Sequence, residues 1–237
     1  MEAMIFAAGL GTRLSPLTDT KPKALVNFKG KTMLENAIEK IISAGFDRII
    51  INVHHFSNMM KDFISNLKYD AEILISDESD CLLDTGGGIL KAKNLLIKEN
   101  NFLLYNVDIA CNIDLKKLYN FHLNSDNIAT LAIKYRNTSR KFIFDNNLQL
   151  CGWKNFNTNE TKISKNFQEF NAKYLAFSGI SVINSRIFDK ITETGKFSIT
   201  PLFLRLAKSE KIAGYIHSDC WADLGTIERL NEAEILF

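Results

Sequence analysis

Met4-Ile5-Phe6-Ala7-Ala8-Gly9-Leu10-Gly11-Thr12-Arg13-Leu14-Ser15-Pro16-Leu17-Thr18 is an apolar strand running into a glycine-rich turn. The run Met4–Ala8 predicts the strand, and the residues beyond it repeat its logic. Met33–Ala44, Ser57–Leu67, Gly88–Leu96 and Leu115–Leu123 are amphipathic and predict helices; Arg48–Val53, Ala71–Ser76 and Phe102–Tyr105 are short apolar runs and predict strands. Strand and helix in turn imply right-handed crossovers, an α/β fold and a mostly parallel sheet whose ligands gather at the carboxyl ends of the strands. The glycine turn lies at such an end.

After Ala129–Tyr135 the pattern shortens. Lys141–Phe144 and Gln149–Trp153 flank the turn residues Asp145-Asn146-Asn147 and predict a β-hairpin insertion. Residues 155–171 lack periodicity and read as a surface excursion before the strand Tyr174–Ile183. With no repeat and no linker, residues 1–237 are expected to form one domain, with 136–173 as an insertion.

Bare glycine N–H groups can approach phosphate oxygens, and Arg13 and Lys23 add positive charge from two directions, so the first 25 residues suit a polyphosphate. The alternative is a plain tight turn. A dinucleotide fingerprint needs a glycine at position 14, where Leu14 stands, and Pro16 breaks the helix it would open. A Walker loop needs Gly-Lys-Ser/Thr where the chain has Gly11-Thr12-Arg13.

The chain has 237 residues, 46% of them hydrophobic and 24% charged, with net charge +2, which leaves no basic field for nucleic acid or an anionic membrane. No charged segment precedes an apolar leader, and no apolar run reaches the roughly 20 residues of a membrane span. A cytoplasmic protein is expected. Cys81, Cys111, Cys151 and Cys220 are scattered and read as reduced thiols.

Three further features carry chemistry. Asp108, ending an apolar strand in Asn106-Val107-Asp108, can offer a carboxylate to a magnesium–triphosphate or simply cap the next loop. Asp223, in Trp221-Ala222-Asp223-Leu224-Gly225-Thr226, can serve a metal or the entry of a helix that Thr226 would cap. Leu83-Asp84-Thr85-Gly86-Gly87-Gly88 puts three glycines at a helix start, open to a planar base or an oxygen ligand, or merely flexible. His54-His55 reads as loop or packing, and Lys154, beside Trp153, can reach an anionic sugar phosphate. No Ser-His-Asp arrangement is visible.

The opening stretch resembles that of the sugar-1-phosphate nucleotidyltransferases, Ala-Gly-x-Gly-x-Arg-x-x-Pro-x-Thr and then Pro-Lys-Pro. It matches at Ala8, Gly9, Gly11, Arg13, Pro16, Thr18, Pro22 and Lys23, with Ala24 in place of the second proline. Asp108 and Asp223 match the family's metal carboxylates, although Val107 and Ile227 depart from its usual glycine and proline. The resemblance covers Met4 to about Glu234 and implies a Rossmann-like three-layer sandwich with Mg2+ on Asp108 and Asp223. It further implies a nucleoside triphosphate held by Ala8, Gly9, Gly11, Thr12, Arg13, Lys23, Asp84, Thr85, Gly86 and Gly87. Asn106, Lys154, Glu169, Lys173 and Gly179 would contact a sugar 1-phosphate.

Within the family the chain resembles the short bacterial N-acetylmuramate 1-phosphate uridylyltransferases, with mannose 1-phosphate guanylyltransferases the rival. Phosphocholine cytidylyltransferases and noncatalytic regulatory subunits are further alternatives, and a glycosyltransferase ranks last because Asp108-Ile109-Ala110 is not Asp-x-Asp. A monomer or small homo-oligomer is expected.

Overall fold

The computed structural model describes residues 1–96 and 99–237. The chain opens with β1 (Glu2–Phe6) and a small antiparallel pair, β2 (Asn27–Phe28) and β3 (Lys31–Thr32). Then come α1 (Met33–Ser43), β4 (Arg48–Val53), α2 (Ser57–Ser65), β5 (Glu72–Asp77), α3 (Asp84–Lys91), β6 (Asn101–Asn106), β7 (Ile109–Cys111) and α4 (Leu115–Leu123). The second half holds β8 (Ala129–Lys134), β9 (Arg140–Phe144), β10 (Leu150–Asn155), β11 (Thr161–Ile163) and β12 (Lys173–Asn184). It ends with α5 (Ile199–Leu206), β13 (Ile212–Ile216), β14 (Trp221–Asp223) and α6 (Ile227–Leu236).

Ten strands form one mixed sheet in the order β11-β10-β9-β12-β6-β1-β4-β5, with β8 paired to β12 and β13 to β8. The β6-β1-β4-β5 half is parallel, and β12 joins it antiparallel. Alternation along β1 explains the layers: Ala3 and Ile5 face one core with Leu34, Ile38 and Ile41 of α1, while Met4 faces the other with Ile89 of α3 and Phe203 of α5. A parallel sheet covered on both faces requires such nearly continuous apolar strands.

Local signals fix the helix starts. Thr32 and Glu35 form a reciprocal capping box on α1, Glu35 N donating to Thr32 Oγ1 at 3.1 Å and Thr32 N to Glu35 Oε2 at 2.8 Å. Thr226 caps α6, as its sequence predicts.

Two expectations change. β1 ends at Phe6, so Ala7 and Ala8 belong to the loop. The predicted hairpin is a three-stranded antiparallel extension, because β9 pairs with β12 and the segment read as an excursion supplies β11 and a turn at Glu169–Asn171.

His122 in α4 is buried between Thr130 Oγ1, 2.9 Å from Nδ1, and Asn101 Oδ1, 3.1 Å from Nε2. Burial lowers its pKa from the ordinary 6.5 to about 4. The unfolded chain therefore takes up the proton first. The stabilising difference, roughly 3 kcal/mol, is complete above pH 6.5 and is lost as pH falls toward 4. Denaturant titrations are expected to give a shallower loss of stability over that window for His122→Asn than for the parent; parallel curves would remove His122 from the acid response.

Candidate active site

Parallel strands end together, and the carboxyl ends of β6, β1 and β4, with the turn after β5, form one wall of a cavity of about 310 Å³. Asn106 ends β6 and Val107 and Asp108 follow it, Phe6 ends β1 and Ala7 to Gly9 follow it, Asn52 lies on β4 and Glu78 beyond β5; Asp84 and Thr85 of α3, Lys23, Leu82 and Lys196 complete the lining. Three strand spacings separate β6 from β5, about 14 Å, enough for an extended ligand.

Gly9 lines the cavity, and a Cβ added to it would meet nothing within 4 Å. Gly11 has a different reason to be glycine. At φ +69 it starts the turn Thr12–Leu14, and a Cβ there would sit 2.9 Å from Lys23 Cβ and 3.0 Å from Thr18 Cγ2. Thr18 Oγ1 donates to Gly11 O at 3.0 Å, closing the loop on itself. Behind the loop, Asn52 Oδ1 accepts from Ala7 N at 2.7 Å and Ala8 N at 3.2 Å, while its Nδ2 donates to Glu78 Oε1 at 2.7 Å. Glu78 is fully buried, and that burial raises its carboxyl pKa against the lowering effect of the Asn52 bond.

Lys23 Nζ pairs with the Asp108 carboxylate inside the cavity. β14 pairs with β7 so that Asp223 lies opposite Ile109, and Leu224 N donates to Asp108 O at 2.8 Å; the backbones of two acidic residues distant in sequence thereby come side by side. Asp223 also takes the helix-entry role, accepting from Gly225 N at 2.8 Å and pairing with Arg229 at 2.6 Å. Arg13 lies against the same turn, its Nη2 3.0 Å from where a Gly225 Cβ would be.

The chain belongs to the nucleotidyl transferase family. Its family profile matches residues 2–236. The chain is 29% identical over 238 residues to the N-acetylmuramate alpha-1-phosphate uridylyltransferase of Neisseria meningitidis serogroup B, covering 100% of this chain and 98% of that one. It is 35% identical over 136 residues to the mannose-1-phosphate guanyltransferase of Hypocrea jecorina, 56% of this chain and 37% of the relative. The crystal structure of HddC from Yersinia pseudotuberculosis superposes with a TM-score of 0.79 at 22% identity, covering 99% of this chain and 98% of that one, which shows a shared fold.

In this family member the cavity brings together Ala8, Gly9, Lys23, Asp84, Thr85, Asn106 and Asp108 of the predicted residues. Thr12 and Arg13 lie beyond it in an exposed turn. Gly179, at φ +75 in a bulge of β12, sits behind the wall, where a Cβ would meet Asn106 Nδ2 at 3.0 Å.

The glycine run corrects the reading of an open ligand platform. α3 begins at Asp84, four residues early, and a Gly86 Cβ would lie 2.4 Å from the Phe197 ring and a Gly87 Cβ 2.4 Å from Gly195 O. Gly86 N and Gly87 N donate to Phe197 O at 2.9 and 3.1 Å, so these glycines admit the 195–197 segment. Asp84 and Thr85 remain on the cavity side.

Lys154 is also elsewhere, over the Phe156 ring at 5.2 Å, with Tyr174 stacked edge-on to that ring. Glu169 and Lys173 belong to this extension and do not line the cavity.

Sequence reading missed Asn52, Glu78 and Lys196 as lining residues. Only Asn52 leaves a signal, one amide inside the apolar run of β4. It also missed a Ser-His-Asp line: Ser178 Oγ is 2.8 Å from His217 Nε2, and His217 Nδ1 is 3.7 Å from Asp219 Oδ2. Ser178 has no exposed surface, which bars it from acting as a nucleophile.

Proposed function

We propose that the cavity binds a nucleoside triphosphate and that the chain joins it to a sugar 1-phosphate, giving a nucleoside diphosphate sugar and pyrophosphate. The observation that carries this reading is the Lys23–Asp108 pair in one cavity with the Ala7–Gly9 loop and next to Asp223.

The acceptor phosphate already bears negative charge and needs no nucleophilic side chain. One of its oxygens forms a bond to the α-phosphorus as the bond from that phosphorus to the bridging oxygen breaks, and pyrophosphate departs with the electron pair. Lys23 and Arg13 hold the triphosphate and offset its charge, and the loop backbone at Ala8 and Gly9 orients it. The base lies toward Leu82, Asp84 and Thr85.

Asp108 and Asp223 suit magnesium. Both are hard oxygen donors, Asp108 in the turn before β7 and Asp223 on the strand β14 that pairs with β7, and among the described residues no group of three or more His, Cys, Asp or Glu gathers as a metal cage. Two carboxylates plus phosphate oxygens and water match the way Mg2+ is held beside a nucleotide. When bound there, the ion would neutralise phosphate charge. Asp223→Asn is expected to raise the magnesium concentration for half-maximal rate by at least about tenfold. An unchanged titration would leave Asp223 with its helix-entry role alone.

For the finer reading we favour UTP with N-acetylmuramic acid 1-phosphate, supported by a relative matched over nearly its full length. Mannose 1-phosphate with GTP is the second reading, supported by the higher identity over the shorter 136-residue match. Incubation with magnesium and each triphosphate paired with each sugar 1-phosphate or with phosphocholine, read by mass spectrometry for the nucleotide-linked product, separates the two. UDP-N-acetylmuramic acid as the main product is expected; GDP-mannose would transfer the assignment, and CDP-choline from phosphocholine would remove the sugar.

A further inference from the structure

We propose that Glu78, outside every motif read from the sequence, is a positioning residue for base selection: its carboxylate ties residues 79–83, the loop on the base side of the cavity, to the phosphate loop through Asn52. The proposal rests on the transferase reading given above.

Glu78 has no exposed surface, and no cation forms an ion pair with it among the described residues. A carboxylate only accepts hydrogen bonds, and each of its oxygens meets one N–H. Oε1 accepts from Asn52 Nδ2 at 2.7 Å and Oε2 from Leu83 N at 3.3 Å. Burying a carboxylate is costly without such partners, so the two bonds hold the side chain in one place.

These bonds run in one line from the phosphate side of the cavity to the base side. Ala7 N and Ala8 N donate to Asn52, Asn52 donates to Glu78, and Glu78 accepts from Leu83 N, which directly precedes Asp84 and Thr85 of the lining. The backbone repeats the tie. Glu78 N donates to Val53 O at 2.7 Å and Cys81 N donates to Glu78 O at 3.0 Å, folding the loop back onto Glu78. α3 closes over the pair: a Cβ at Gly88 would lie 2.9 Å from Glu78 Oε1 and 3.1 Å from Asn52 Nδ2, so the third glycine of the run makes room for these two side chains.

The two ends of the line serve different parts of the nucleotide, the phosphates at Ala8 and Gly9 and the base toward Leu82, Asp84 and Thr85. With both ends tied to one buried carboxylate, a base of the wrong shape meets a wall that cannot draw back from the phosphates. Small displacements of such a wall are costly to a reaction that depends on alignment.

Glu78→Gln tests the assignment, because an amide of the same shape offers one acceptor to two N–H donors. Forward rates are measured with each triphosphate, and reverse rates with the nucleotide sugar and pyrophosphate, which has no base. The variant is expected to raise the KM of triphosphate and nucleotide sugar by at least about tenfold and to leave the pyrophosphate KM within about threefold, as for one buried donor left unmatched on the base side. The ratio of kcat/KM between the preferred triphosphate and the next best is expected to fall by at least about fivefold. A residue that merely stabilised the fold would lower the melting temperature without separating these constants. The double variant Asn52→Asp with Glu78→Gln restores every donor–acceptor match, the new aspartate accepting from the phosphate loop and from the new amide, whose oxygen accepts from Leu83 N. It is expected to recover base selectivity to within about threefold of the parent, and it serves alone if the single variant does not fold. Unchanged selectivity in Glu78→Gln, nucleotide and pyrophosphate KM values rising equally, or a folded double variant without selectivity would each overturn the Glu78 assignment while the parent enzyme's turnover stands. A parent that turns over no pair of substrates would remove the transferase reading and this assignment with it.

Discussion

Lys23→Ala is expected to lower turnover by at least about a hundredfold, the scale of losing one preorganised charge contact in an active site. Lys23 is the cation most firmly placed in the cavity: its side chain is 11% exposed, it pairs with Asp108, and its Cβ packs where a side chain at Gly11 would otherwise stand. A single substitution therefore removes charge from the triphosphate and leaves the Asp108 carboxylate, 18% exposed, without its partner. The effect belongs in kcat at saturating substrates, with the circular dichroism spectrum unchanged. Turnover within threefold of the parent would take Lys23 out of the chemistry.

Asn52→Ala is expected to destabilise the protein by about 3 kcal/mol, near 1 kcal/mol for each buried hydrogen bond lost or orphaned. Asn52 is 2% exposed, and its amide serves Ala7 N, Ala8 N and Glu78 at once, so alanine leaves two loop N–H groups and Oε1 of the buried Glu78 carboxyl without this partner. For a chain of this size, that loss shifts the melting temperature by roughly 6–12 °C. The triphosphate KM should rise as well, because the same bonds hold the loop at the cavity mouth. A melting temperature within about 2 °C of the parent would mean that water or a rearranged loop replaces the amide, and that Asn52 does not set the loop.

The contrast between these two residues explains what could be read from the sequence. Lys23 stands within a contiguous loop where glycines, prolines and cations announce their chemistry by spacing. The alternating core gave the parallel half of the sheet for the same reason, since burial on both faces demands apolar runs. Asn52, Glu78 and Lys196 reach the cavity from three separate places, and only pairing of β1 with β4 and packing of the 195–197 segment on α3 unite them.

The glycine run misled because the same residues serve a ligand or a packed chain equally well. The deciding partner, Phe197, lies more than a hundred residues downstream. Lys154 misled in a similar way: a lysine beside a tryptophan suggests an anion site, but strand pairing in the extension directs it to Phe156. Asp108 and Asp223 were legible one at a time as carboxylates at strand ends; their adjacency follows from β7 and β14, two three-residue strands with little signal of their own.

The most direct test is pyrophosphate release by the parent enzyme, measured with triphosphate and magnesium alone and again after a sugar 1-phosphate is added. Direct displacement at the α-phosphorus predicts release only when both substrates are present, one pyrophosphate for each nucleotide sugar formed. Equal release without the acceptor, or none with any acceptor although the triphosphate binds, would contradict it.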